Sequence, residues 1–137
     1  MSDTVFDHFM QQRRRVASAF VNGDPGPLRD ISTAFDPATI FGPGGGTEQG
    51  AEHVLQVNER SSHQFHGGST DIEVMHSGAS GELAYWTGIQ NASVRVDKQD
   101  SPVPMKLRVT EVFRRERGAW KLIHRHADAL ADVKATH

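Results

Sequence analysis

The sequence contains no cysteine, which excludes disulfide bonds and thiol chemistry. No apolar run approaches the roughly 20 residues that a membrane-spanning helix needs, and the first residues lack the basic and apolar segments of a signal peptide. No sustained block of one charge is present either, since the net charge is −2 and the basic clusters at 13–15 and 114–115 are short. These absences argue against membrane and nucleic-acid partners and favour a cytoplasmic location.

The chain has 137 residues, which is the size of one domain and is enough to bury a core without a disulfide or a metal. We therefore expect a single domain over residues 1–137.

Three helices are predicted in the first half. The first, residues 3–22, has an apolar stripe at spacings of three and four, and Gly23 is a good stop signal. A short second helix is expected from Asp24 to about residue 34, and a third over residues 51–64. The members of the stripe on the first helix are Phe6, Phe9, Arg13, Val16 and Phe20.

Residues 42–46 (GPGGG) cannot form a regular element. A glycine-rich loop can cradle a phosphate, but the lysine and hydroxyl residue of a phosphate-binding loop do not follow. The simpler interpretation is a tight turn near the mouth of a pocket.

From residue 65 onward, apolar and polar residues alternate, as is typical of strands with one buried face. Strands are expected around residues 72–75, 83–90, 105–114 and 120–128, with turns between them. Helices followed by long antiparallel strands predict an α+β fold with the helices on one side of a curved sheet. Residues 129–137 are expected to form a tail that is flexible or that covers a partner.

Glu111 is the strongest functional candidate, because it shares the apolar face of its strand with Val109 and Phe113. Burial would raise the pKa of this carboxyl unless a cation or hydrogen-bond donors pair with it. Perturbed carboxyl groups in cavities are candidates for acid–base catalysis. The alternative is a structural salt bridge inside the sheet.

The partner of Glu111 depends on the last hairpin. A two-residue turn at Arg117-Gly118 would place Glu111 beside His124, but it requires positive φ at both positions, where arginine is poor. A type I turn followed by a bulge at Gly118 places Glu111 beside Arg125, and we favour that pair. A shift of one residue moves every side chain to the other face.

The remaining candidates are aromatic and histidine pairs. Tyr85 and Trp86 occupy opposite faces of one strand, which predicts a pocket on one side and a partner subunit on the other. His124 and His126 share a strand face and could chelate a metal if a third ligand were supplied, but a sheet surface or dimer interface is the favoured interpretation. No recognisable ligand set accompanies them, so neither a metal nor a cofactor is expected.

Residues 107–115 (LRVTEVFRR) and 118–128 (GAWKLIHRHAD) resemble the last hairpin of SnoaL-like proteins, which belong to the nuclear transport factor two superfamily. The association domain of calmodulin-dependent kinase II is similar there, and the segments 22–24 and 41–45 extend the resemblance over most of the chain. The resemblance implies a cone-shaped, strongly curved antiparallel sheet around three N-terminal helices, enclosing a pocket. It does not specify a function, because this superfamily contains both enzymes and non-enzymes.

Ketosteroid isomerase is an informative member of that superfamily. By this comparison, Glu111 occupies the position of its protonated aspartic acid. Val16 and Gly42 stand where that enzyme has its oxyanion tyrosine and its aspartate base, so its mechanism is not expected here. The comparison also implies a cavity lined by Val16, Phe20, Leu83, Tyr85, Thr87, Val109, Phe113, Arg125 and Ala127.

Three functions follow as hypotheses. The first is a cofactor-independent lyase, isomerase or hydrolase for a small, partly apolar organic molecule, with Glu111 as acid or base, Arg125 binding substrate or setting the protonation of Glu111, and Tyr85 donating a hydrogen bond. The second is a non-catalytic homodimeric binding or association module, joined through an outer sheet face that includes Trp86, His124 and His126. The third is a metal site on the two histidines.

Overall fold

The computed structural model describes residues 4–97 and 101–131 and contains three helices and six strands within those ranges. The predicted α+β class is confirmed. No helix in the described ranges is long and apolar enough to cross a membrane. The helices are α1 Thr4–Val21, α2 Gly26–Ile31 and α3 Ala51–Ser62, and the strands are β1 Thr39–Phe41, β2 Thr47–Gln49, β3 Phe65–Ser80, β4 Leu83–Val96, β5 Val103–Glu116 and β6 Ala119–Ala129.

Helix α1 forms because most of its apolar residues recur at helical spacing and share one face, which packs against the sheet. Phe6, Phe9 and Val16 are buried, and the helix ends at Val21, two residues before Gly23, whose φ of +86° is the left-handed conformation that glycine adopts most easily. Arg13 lies in the same stripe and is only 4% exposed. A charged residue is therefore held on the buried face of the helix.

The six strands form one curved, open sheet in the order β2-β1-β6-β5-β4-β3. Strands β3 to β6 pair antiparallel with their chain neighbours, as predicted. The short strand β1 pairs parallel with β6, however, and antiparallel with β2. The sheet is thus not purely antiparallel, and β2 was not predicted because its three residues follow directly on the glycine-rich turn.

The glycine-rich segment forms the tight turn between β1 and β2. The amide of Gly42 donates to the carbonyl of Gly46 at 3.0 Å, and Gly45 has a φ of +89°. These backbone groups therefore serve the hairpin itself, as the simpler interpretation predicts.

The main core lies between α1 and the sheet. Phe6 is in contact with Phe9, Phe113 and Trp120, with ring centroids 5.7 to 6.0 Å apart. Offset and edge-to-face arrangements at such distances are favourable for aromatic rings. The core fixes α1 across β5 and β6, which positions Arg13 over the sheet.

The prediction of which side chains of β4 face the interior was wrong by one residue. Trp86 pairs directly with Glu111 and is fully buried, whereas Leu83 is 52% exposed and lies on the opposite face with Tyr85 and Thr87. Both faces of this strand carry apolar residues, so alternation alone does not identify the inner one. Residues 98–100, between β4 and β5 in the chain, lie outside the described residues.

The last hairpin also differs from the expectation, although the resulting pair is the predicted one. Arg117 and Gly118 form a two-residue turn with φ values of 52° and 82°, and Glu116 pairs with Ala119. The extra residue is Ile123, because Phe113 pairs with Leu122 while Val112 pairs with His124. A bulge inside β6, and not one at the turn, therefore brings Arg125 opposite Glu111.

Of the predicted tail, Ala129 is the last residue of β6 and the amide of Leu130 donates to the carbonyl of Lys106 at 3.0 Å. Residues 132–137 lie outside the described residues.

Candidate ligand-binding site

Glu111 has no exposed surface and lies at the centre of a hydrogen-bonded cluster. Arg13 donates to both carboxylate oxygens, from Nε to Oε1 at 2.9 Å and from Nη2 to Oε2 at 2.8 Å. The indole Nε1 of Trp86 donates to Oε1 at 2.7 Å, and Nη1 of Arg125 donates to Oε2 at 2.8 Å. Each oxygen thus accepts two hydrogen bonds, three of the four coming from a cation, which is the strong kind of hydrogen bond.

Burial was expected to raise the pKa of Glu111 unless a cation paired with it, and here two cations do so. Burial by itself raises the pKa of Glu111, but the charges of Arg13 and Arg125 and their hydrogen bonds outweigh burial and lower it to about 2. The carboxyl is therefore ionised throughout the neutral range.

Arg13 is the functional residue that sequence reasoning missed. Its place in the apolar stripe of α1 was a usable signal, because a buried cation almost always requires an anionic partner. No sequence rule connects it to Glu111, since the two residues are 98 positions apart and meet only when α1 packs on the sheet.

Arg125 extends the cluster toward solvent. Its side chain is 21% exposed, and its Nη2 donates to the side-chain oxygen of Gln90 at 2.9 Å. Gln90 in turn donates to the hydroxyl of Thr70 at 3.1 Å. This chain holds the guanidinium of Arg125 in one orientation.

A cleft of about 70 Å³ opens between the three helices and strands β1 and β6, beside this cluster. Arg13 and Arg125 line it, whereas Glu111 does not and lies behind them. The remaining wall is mainly apolar and includes Ala17, Phe20, Leu28, Ile40, Val54 and Leu122.

Several residues predicted to line the cavity do not do so. Phe20 lines the cleft, but Val16, Val109, Phe113 and Ala127 are packed into the solid core beside it. The fold thus fills with side chains most of the interior that the resemblance assigned to a cavity, and leaves space only near β1 and the helices.

Tyr85, Leu83 and Thr87 were assigned to the cavity and instead lie on the outer face, because the even-numbered residues of β4 point inward. The phenol of Tyr85 is hydrogen-bonded to Nδ1 of His76 at 2.8 Å, and the hydroxyl of Thr87 contacts that of Thr110 at 2.7 Å. None of these groups can reach a ligand in the cleft. Trp86, conversely, was assigned to the outer face and lies in the core.

The two histidines of β6 follow the predicted alternation. His126 is exposed, and Nδ1 of His124 is 2.7 Å from the hydroxyl of Thr39, with Phe41 packed against both imidazole rings. Burial and the neighbouring His126 lower the pKa of His124, so its imidazole is neutral at pH 7. Among the described residues, no group of three or more acidic or histidine side chains is placed to hold a metal ion.

Residues 11–131 match the model of the SnoaL-like domain, which is most of the chain. The chain therefore belongs to the SnoaL-like family, as its resemblance to that family predicted. No curated protein is similar enough to this chain to count as a match.

Solved structures with the same fold have low sequence identity with this chain. A candidate dehydratase of the NTF2-like family from Streptomyces avermitilis is 20% identical, with a TM-score of 0.77 over 95% of this chain and 99% of that one. An NTF2-like superfamily protein from Salmonella enterica is 13% identical, with a TM-score of 0.80 over 95% and 94% of the two chains. A ketosteroid isomerase-like protein from Erwinia carotovora atroseptica is 14% identical, with a TM-score of 0.72 over 90% and 94%. Similarity at this level supports the fold and carries no activity with it.

Proposed function

We propose that this protein binds a small, partly apolar organic molecule in the cleft beside Arg13 and Arg125, without a cofactor. The observation that carries the proposal is the composition of the cleft, in which an apolar wall faces a few oriented polar groups. Ligand sites in proteins typically combine these two features. Burial of an apolar ligand surface supplies affinity, and the polar groups select the orientation.

In this proposal Glu111 is a structural anion and does not transfer protons. A general acid or base works best when its pKa lies near the working pH, whereas the pKa of Glu111 is about 2 and both its oxygens already accept hydrogen bonds. Its role is to hold two guanidinium groups in place at the wall of the cleft. Binding without chemistry is therefore better supported than catalysis by Glu111.

The proposal is tested by a larger side chain on α1 that fills the cleft. Ala17 lines the cleft, so Ala17→Leu adds three carbon atoms there while keeping a good helix former. Crystals of the native protein, soaked with neutral fragments of about five non-hydrogen atoms, should show density in the cleft, because its volume holds roughly five water molecules. The same soaks of Ala17→Leu should show none.

Ala19→Leu is the matched control, since it makes the same change two residues further along α1 and does not line the cleft. It should bind fragments as the native protein does. Native crystals that bind fragments only outside the cleft, or not at all, would contradict the proposal.

We also propose that the protein is a homodimer joined through the outer face of the sheet. Met75 is 70% and Leu83 52% exposed on this face, and His126 lies between them and Phe41, which is 39% exposed. Large apolar groups exposed together on one face favour an interface. Trp86 is not part of this proposal, because it is buried in the core.

Sedimentation of a Met75→Asp, Leu83→Asp double variant tests the dimer. We expect the native protein to sediment as a dimer and the double variant as a folded monomer, because each dimer would bury four uncompensated carboxylates. A Val5→Asp, Phe35→Asp variant introduces the same charges at apolar residues that are 60% and 59% exposed elsewhere, and it should remain dimeric. A native protein that sediments as a monomer would refute the proposal.

A further inference from the structure

The charge that the cleft presents to a ligand is positive. The buried cluster contains two guanidinium groups and one carboxylate, so its net charge is +1. The two cations line the cleft while Glu111 is shielded behind them, and no acidic residue lines the cleft among the residues that the structure describes. His124 also borders it and adds no charge at pH 7.

The guanidinium groups also retain donors. Each has five N–H groups in a planar fork. Within residues 4–97 and 101–131, Nη1 of Arg13 and Nε of Arg125 donate to no protein acceptor, although their other nitrogens bind Glu111 and Gln90. Positive charge together with unused donors at the wall of an apolar cleft creates a site for an anion.

We propose that the ligand is a small monocarboxylate whose carboxylate binds Arg125 and whose apolar end lies against Ala17, Val54 and Leu122. This inference rests on the function proposed above and names the class of ligand for the same cleft. A monoanion brings the buried charge to zero, whereas a dianion would leave a negative charge of equal size. Planar carboxylates also match the guanidinium fork, which can donate two parallel hydrogen bonds to them.

The size of the cleft limits the ligand further. A volume of about 70 Å³ accommodates roughly five water molecules, so a ligand of about five or six non-hydrogen atoms fits, such as a carboxylate with a two- or three-carbon tail. Longer acids would have to extend beyond the cleft.

The test compares butyrate with butyramide, which has the same shape without the charge, by NMR titration of the native protein at constant ionic strength. We expect butyrate to shift the amide signals of Ala17, Val54 and Leu122 and to bind at least about tenfold more tightly than butyramide, which corresponds to about 1.4 kcal/mol. Inorganic phosphate should bind more weakly than butyrate.

Variants test whether Arg125 causes the preference for butyrate over butyramide. Arg125→Gln should weaken butyrate binding at least about tenfold and weaken butyramide binding much less. For Arg125→Lys, which keeps the charge but loses the fork, butyrate affinity should lie between those of the native protein and Arg125→Gln. Arg108→Gln removes an arginine from the exposed face of the same sheet and should have no effect. The comparison of probes in the native protein stands even if a variant does not fold.

The possible failures are distinguishable. If butyramide binds in the cleft as tightly as butyrate, the cleft is a ligand site but the carboxylate assignment is wrong. If phosphate binds more tightly than butyrate, the site serves a phosphoryl group and the assignment is again wrong. If no probe shifts the signals of the cleft residues, both this inference and the proposed function are wrong.

Discussion

Replacement of Glu111 by glutamine is expected to lower the free energy of unfolding by about 3 to 5 kcal/mol, because it leaves a buried ion cluster without its anion. Arg13 is 4% exposed and Arg125 is largely enclosed, so neither guanidinium can recover full hydration in the folded protein. The amide of glutamine would also direct donor hydrogens at groups that only donate. Denaturant unfolding of the native and variant proteins measures this loss directly.

Two controls separate the charge effect from packing. Glu73→Gln makes the same substitution at an exposed strand position and should change stability by less than about 0.5 kcal/mol. The triple variant Arg13→Met, Glu111→Leu, Arg125→Met removes all three charges and should recover most of the stability lost in Glu111→Gln, since apolar replacements of a buried ion cluster are often neutral or stabilising. Equal stability of Glu111→Gln and Glu73→Gln would show that Glu111 is not the sole counterion of two buried cations.

Acidification is expected to remove about 3 kcal/mol of stability through Glu111 alone. Its pKa is about 2 in the folded protein against an ordinary value of 4.5, and each tenfold difference in proton affinity is worth about 1.4 kcal/mol. Because the folded pKa is the lower one, this stability is fully present above pH 4.5 and is lost as the pH falls toward 2. Unfolding measurements between pH 6 and pH 2 should show the decline.

The triple apolar variant is the comparator for this pH dependence, since it retains every other carboxyl group. Its stability should fall less steeply over the same range, and the difference between the two curves isolates Glu111. Parallel curves would mean that Glu111 has the same pKa in the folded and unfolded states.

The sequence predicts the elements that depend on local pattern. The stripe of α1, the stop at Gly23 and the long alternating strands lead to an α+β fold, and Glu111 is recognisable because its polar side chain interrupts the apolar face of β5. These features depend on residues within one helix or strand, where periodicity fixes the buried face.

The errors concern relations between strands. Which face of β4 is the inner one depends on its register with β5. Both faces carry an aromatic residue, Tyr85 on one and Trp86 on the other, so the local pattern does not decide. The Glu111–Arg125 pair was predicted from a bulge at the turn, yet it arises from a bulge at Ile123, in a segment where nothing in the local sequence distinguishes a bulged residue.

The sequence left the electrostatic character of the site open, between a perturbed acid and a salt bridge, for a related reason. Burial of Glu111 was correctly predicted, but the sign of its pKa shift depends on Arg13, which comes from the first helix. One additional cation changes the interpretation from a candidate acid to a permanent anion, and it also gives the cleft its net positive charge.

The claim that Glu111 is a permanent anion is tested most directly by a carbon NMR titration of its side-chain carboxyl in the folded protein. We expect its chemical shift to remain that of an ionised carboxylate from pH 8 down to the onset of acid unfolding. A titration midpoint above pH 5 would contradict the account, because Glu111 would then be protonated near neutral pH and would again be a candidate acid or base.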